Sequence, residues 1–211
     1  VPSHNNVVEI CRPEREGPDE CDFYWKSVYR PARDLDGVVM QSAVKNTLVS
    51  DIDFYLSRAC RTFYENRGIP CRRGYLFYGP PGTDKTSISV SLASAYKLPL
   101  YVLNLNDLTD KSLMRLLNFV PKRSILLLED VDSAGLDREH MLAGAVGRDG
   151  KPTAAKKKTV TLSGLLNCLD GPASVDGRLL IMTSDSPDSL DAALVRPGRC
   201  DKKILLGYVC P

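Results

Sequence analysis

The chain has 211 residues, 43% of them hydrophobic, which is enough for one sizeable core and a small appendage. Its 28 Lys and Arg nearly balance 26 Asp and Glu, and the formal charge of +2 argues against a nucleic-acid partner. No apolar run nears the roughly eighteen residues needed to cross a bilayer, and no signal peptide is visible.

The seven cysteines are odd in number and form no CxxC pair. That pattern argues against a zinc site or an extracellular disulfide framework, and for reduced thiols in an intracellular compartment. Val at position 1 leaves room for a fragment or a processed product, with a membrane anchor upstream.

Residues 1–36 are rich in Pro, charge and polar groups and read as a tail or the edge of an N-terminal domain, with short strands at Val7 to Cys11 and Phe23 to Tyr29. Residues 37–66 read as helical from the spacing of Val44, Leu48, Ile52 and Leu56, until RGIPCRRG (67–74) breaks the pattern. Five apolar runs follow, at Tyr75 to Tyr78, Leu100 to Leu105, Ser124 to Leu128, Leu179 to Thr183 and Ile204 to Val209. Helical spacing separates the first three, at Ser87 to Tyr96 and Leu108 to Phe119, and returns at Leu162 to Leu169. Apolar strands alternating with helices predict an α/β fold with a mostly parallel sheet flanked by helices. The glycine-rich stretch at 133–159, with Lys156, Lys157 and Lys158, reads as a mobile, solvated basic surface loop.

The strongest motif is GPPGTDKTS (Gly79, Pro80, Pro81, Gly82, Thr83, Asp84, Lys85, Thr86, Ser87), set between a strand and a helix. A loop in that setting turns backbone N–H groups toward phosphate; Lys85 would contact the outer phosphates and Thr86 would hold Mg²⁺. The usual pattern has glycine where this chain has Asp84. At about 5 Å and an effective dielectric near 20, one carboxylate costs on the order of 3 kcal/mol per phosphate charge. Asp84 could also cap the helix and occupy N–H groups that a phosphate needs. It is therefore expected to be the main fault of the site.

SILLLEDVD (124–132) is an apolar strand ending in Glu129, Asp130 and Asp132. Carboxylates at the C-terminal edge of a parallel sheet face its ligand crevice, where one can support Mg²⁺ through water and another can deprotonate an attacking water. LIMTSD (180–185) brings Thr183, Ser184 and Asp185 to the same edge. LVRPGRCD (194–201) holds Arg196 and Arg199 on a turn that could aim two guanidiniums outward, into a neighbour's site.

These stretches together resemble an AAA ATPase, and specifically the mitochondrial BCS1 family and its fungal relatives. The resemblance rests on YENRGIPCRRGYLFYGPPGT (64–83), YVLNLNDLTD (101–110), RSILLLEDVD (123–132), VTLSGLLNCLDG (160–171) and LDAALVRPGRCDKK (190–203). It implies a P-loop NTPase core, at 37–211, without its C-terminal helical lid, preceded at 1–36 by a tail or remnant of a BCS1-type N-terminal domain. It implies ATP and Mg²⁺ at Gly79 to Ser87, Glu129 supporting the metal together with Thr86, and Asp130 as catalytic acid–base. It also implies a homo-oligomeric ring served by Arg196 and Arg199, anchored in the mitochondrial inner membrane and acting on a protein substrate during respiratory complex assembly. Asp185 stands where the family has a sensor asparagine, and ionised aspartate cannot donate the hydrogen bond that asparagine can, a lesser fault for affinity than Asp84. A catalytically weak or inactive structural subunit is the alternative reading.

Overall fold

In the computed structural model the described residues are 7–17, 23–134, 159–171 and 176–208. The basic loop expected at 133–159 lies outside them, apart from its first two residues and its last.

Seven strands form one sheet: β1 (Val7–Arg15), β2 (Phe23–Pro31), β3 (Arg73–Tyr78), β4 (Leu100–Asn104), β5 (Ile125–Glu129), β6 (Leu179–Ser184) and β7 (Lys202–Leu205). Their order is β2-β1-β4-β5-β6-β3-β7, and every pairing is parallel except the β1–β2 hairpin. The helices are α1 (Ser42–Leu56), α2 (Arg58–Glu65), α3 (Lys85–Tyr96), α4 (Asp110–Phe119) and α5 (Leu162–Asp170).

Alternation along the strands divides the core into two layers. Tyr75, Phe77, Ile125, Leu127 and Ile181 face α1 and α3, packing with Leu48, Ile52, Ile88 and Leu92. Leu76, Leu126, Leu128 and Met182 face α4 and α5, packing with Leu113, Leu116 and Leu165. Strands buried on both faces explain the unbroken apolar runs of the sequence.

Three features differ from the expectation. The two strands expected in the first residues are present, but as longer strands of the main sheet rather than of a tail or separate edge: β1 pairs with β2 and, through Ile10 and Cys11, with β4. Trp25 fastens the hairpin by donating its Nε1–H to the Leu116 carbonyl at 3.0 Å and standing edge-on to Tyr101. The helix expected over 37–66 breaks at Ser57, whose extended backbone starts α2 and whose hydroxyl accepts from the Cys60 N–H. β7 covers 202–205 and ends before Gly207, short of the predicted run.

Two polar devices fix helices on this frame. Asp110 accepts both the N–H and the hydroxyl of Thr161, the cap of α5, joining the starts of α4 and α5. A Cβ at Gly164 would lie 2.1 Å from Asp110 Oδ1, so this contact requires glycine there. Asp51 on α1 accepts from Arg73 and from Tyr75 Oη at 2.6 Å, and pairs with Lys202 Nζ at 3.0 Å, tying α1 to β3 and β7.

Burial alone would raise the pKa of Asp51, but the bonds from Arg73, Tyr75 and Lys202 outweigh it and hold the carboxyl at about 2. A folded pKa below the unfolded value of 3.8 stabilises the fold above pH 4, and that stabilisation is lost as pH falls toward 2. The difference corresponds to about 2 kcal/mol. Asp51→Asn is therefore expected to lower stability at pH 7 by about 2 kcal/mol or more, since Arg73 and Lys202 lose their carboxylate. Urea unfolding across pH 2 to 7 checks this: the gap between the natural chain and the variant should narrow between pH 4 and pH 2. A gap independent of pH would contradict it.

Candidate functional site

The loop that leaves β3 is built from conformations only some residues tolerate. Gly79 adopts φ 146°, and a Cβ there would lie 2.0 Å from the Leu206 carbonyl oxygen. Gly82 adopts φ 81°, and Asp84 takes a left-handed conformation (φ 59°, ψ 27°) before α3 begins. Aspartate is among the few residues that enter this region at modest cost, which is how it replaces a glycine without breaking the loop.

Thr83 donates its hydroxyl to the Pro80 carbonyl at 2.8 Å. Pro80 and Pro81 have no N–H to offer. The backbone N–H groups of Gly82, Thr83, Asp84, Lys85, Thr86 and Ser87 find no acceptor among the described residues. A run of uncommitted N–H groups at a helix start is a cradle for phosphate oxygens, so the loop fits a nucleotide triphosphate. Asp84 does not close that cradle by capping, as expected from the sequence. Its carboxylate accepts the Ser87 hydroxyl at 3.0 Å and approaches Arg33 at 3.9 Å, with 68% of the side chain exposed.

Lys85 is buried, and its ammonium has three oxygen partners: the carbonyls of Gly79 at 2.8 Å and Pro80 at 2.9 Å, and Asp185 Oδ1 at 2.7 Å. Thr86 donates its hydroxyl to Glu129 Oε1 at 2.9 Å. That leaves the hydroxyl lone pairs beside a carboxylate, a donor set of the oxygen type that Mg²⁺ takes. Thr86 and Glu129 are thus the residues that would hold the ion.

Asp130 follows Glu129 at φ 48°, its N–H donating to Thr183 Oγ1 at 2.9 Å. Its carboxylate is exposed and has no partner among the described residues. Thr183, read from sequence as reaching toward phosphate, instead positions Asp130; its carbonyl also accepts the Val131 N–H at 3.0 Å. Asp132 accepts the N–H groups of Asp185 and Ser186, each at 3.1 Å, and so holds the end of β6 against that of β5. That second role of Asp132 left no signal in the sequence beyond a third carboxylate after the strand.

The structure thus brings Lys85, Thr86, Glu129, Asp130 and Asp185 to one edge of the sheet. Arg196 and Arg199 lie at the other. Asp201 N–H donates to the Gly74 carbonyl at 2.8 Å, which seats their turn at the start of β3, about 13 Å of strand from Tyr78. Only Arg196 matches the outward aim expected of both: it is exposed. Arg199 is pinned on its own chain by Asp170 and by the Ala193 carbonyl at 2.6 Å.

The sequence profile of the ATPase family associated with various cellular activities (AAA) matches residues 75–208. The chain is 46% identical over 191 residues to the probable mitochondrial chaperone bcs1 of Schizosaccharomyces pombe, across 89% of this chain and 40% of that protein. It is 41% identical over 181 residues to the mitochondrial chaperone BCS1 of Homo sapiens, across 85% of this chain and 41% of that protein. With the probable mitochondrial chaperone BCS1-B of Dictyostelium discoideum the identity is 38% over 197 residues, across 84% of this chain and 43% of that protein. The chain therefore spans about two-fifths of the length of these relatives. A mostly parallel sheet with a phosphate-binding loop after β3, paired acids after β5, and this profile match together place the chain in the AAA family, with its similarity running to the BCS1-type mitochondrial chaperones.

Proposed function

We propose that this chain binds ATP with Mg²⁺ and hydrolyses it, as the nucleotide-binding core of a BCS1-like chaperone that works on a protein substrate. The observation that carries the reading is the convergence of Lys85, the Thr86–Glu129 pair and Asp130 around a loop with uncommitted N–H groups. Each has a role that follows from its setting. The loop N–H groups and Lys85 neutralise and orient the phosphates. Glu129 fixes the Thr86 hydroxyl, and a bound Mg²⁺ would draw charge from the phosphoryl oxygens. Asp130, exposed at the strand end, accepts the proton of the attacking water.

The arginine turn sits at the far edge from these groups, so it cannot serve its own chain's site. It suits a homo-oligomeric ring in which Arg196 reaches the next subunit's phosphates, with Arg199 joining once it leaves Asp170. A mitochondrial setting draws on the relatives' names, and an inner-membrane one on the family resemblance alone. Among the described residues no helix is long and apolar enough to cross a membrane, so association there would run through a segment outside them.

A second reading, a weakly active or structural subunit, draws on the ion pair between Lys85 and Asp185. An entering triphosphate must compete with a carboxylate already bonded to the lysine meant for it. Asp84, by contrast, is mostly exposed, and water screens its repulsion toward roughly 1 kcal/mol per charge. On this reading Asp185 is the larger obstacle and Asp84 the smaller, the reverse of the order expected from the sequence.

Calorimetric titration with Mg-ATP separates these cases. Asp185→Asn is expected to bind at least about tenfold tighter than the natural chain, a difference of roughly 1.4 kcal/mol, and Asp84→Gly no more than about threefold tighter. If Asp84→Gly gives the larger gain, the ion pair is not the controlling term. Natural-strength binding with no measurable hydrolysis would favour the structural-subunit reading.

Turnover tests the catalytic assignment. Asp130→Asn should lose at least about a hundredfold in rate while binding Mg-ATP as before. Arg196→Ala should be similarly slow. Mixing the two inactive variants should restore part of the activity, because each supplies what its neighbour lacks. No recovery on mixing, with ring assembly intact, would overturn action between subunits.

A further inference from the structure

At the sheet edge opposite the nucleotide loop, four arginines meet. Arg72 and Arg73 enter β3, Arg178 enters β6, and Arg199 lies in the turn before β7. With Asp170 and leucines of α4, α5, β5 and β6, they line a cavity of about 50 Å³. One water needs roughly 10–15 Å³ on the same scale, so the space suits several waters or one small oxyanion.

The carboxylates at this edge are already shared out. Asp170 pairs with both Arg72 and Arg199, and Asp176 pairs with Arg72 at 3.0 Å. Asp51 serves Arg73 and Lys202. Arg178 has no carboxylate within ion-pair distance among the described residues. Its Nη2 donates to the Val120 carbonyl, and its Nε is buried without an acceptor. Asp201, the fourth carboxylate here, accepts the N–H groups of Gly74 and Gly198, and Arg178 is the cation left without a carboxylate among the described residues. Burial pushes its pKa down to about 10, and the Tyr101 hydroxyl offsets only part of the desolvation. A half-buried cation with an orphaned donor is destabilising until a partner arrives.

We propose that this cavity is a binding site for a small oxyanion the size of inorganic phosphate, held by Arg178 together with Arg72 and Arg199. Guanidinium groups pair with such anions through two parallel N–H bonds, and Arg178, which lines the space, has no carboxylate among the described residues to compete for that role. Asp170 borders the same space and opposes the anion, so it limits affinity and competes for Arg199. Occupancy would loosen the Arg199–Asp170 pair and so bias the turn that carries Arg196.

The test is calorimetric titration with inorganic phosphate, without nucleotide or magnesium, at constant ionic strength. The nucleotide loop could also take phosphate, so the titration is run on the natural chain and on Lys85→Ala. One saturable binding event is expected to survive in Lys85→Ala. Arg178→Gln in that background should weaken it at least about tenfold, and Asp170→Asn should strengthen it at least about threefold. If Arg178→Gln fails to fold by circular dichroism, Arg178→Lys replaces it, keeping the charge but not the fork, with about threefold weakening expected. Loss of all binding in Lys85→Ala would mean that phosphate reaches only the loop. Unchanged affinity in the Arg178 variants would also overturn the proposal. Failure of Mg-ATP binding in the natural chain would leave this test untouched, because it reads the other edge of the sheet.

Discussion

The parallel pairing of β3 with β6 is the constraint on which the rest depends. Its register runs from Arg73 opposite Leu179 to Tyr78 opposite Ser184. At one end, Gly79 N–H donates to the Ser184 carbonyl, so the phosphate loop and the residue after β6 leave the sheet side by side. That is why Lys85 meets Asp185. At the other end, Arg72, Arg73 and Arg178 arrive together for the same reason. One ladder of hydrogen bonds therefore sets up a site of phosphate donors at its top and a concentration of guanidiniums at its foot.

Acidic side chains at this nucleotide edge do different work according to what they touch. Glu129 orients a hydroxyl, Asp130 keeps a carboxylate without a partner among the described residues, Asp132 braces two backbone N–H groups, and Asp185 satisfies a buried ammonium. Asp185 both stabilises the unliganded loop, by giving Lys85 a counter-charge, and opposes the triphosphate that would do the same. Asparagine at that position would supply a dipole in place of a charge, trading loop stability for ligand affinity.

Much of this could be read from the residues. The central strands and the helices after them follow from apolar runs and spacing, and the gathering of GPPGTDKTS, Glu129, Asp130 and Asp185 at one edge from their placement at strand ends. The two hairpin strands were legible but their place in the sheet was not, because β1 buries little beyond Val8 and Cys11, and its docking depends on Trp25 reaching a carbonyl far along the chain. The break at Ser57 depends on a single hydroxyl outbidding helix continuation. What lay beyond reach was pairing across long separations: Asp51 with Arg73 and Lys202, Asp132 with the end of β6, and Arg199 with Asp170. Spacing within a segment carries no information about which distant charge a side chain will meet, so Arg199 read as outward-facing when it is held inward.

Trp25 has a use that follows from its being the chain's single tryptophan. Its indole is bonded to α4 and stands against Tyr101 of β4, far in the sheet order from the β3 loop. Its emission wavelength is thus a built-in optical gauge of one event, the seating of the β1–β2 hairpin on the rest of the sheet. A labelled nucleotide could be followed alongside it in another channel, giving two clocks in one molecule: one for how its outer strands settle, the other for how its ligand comes and goes.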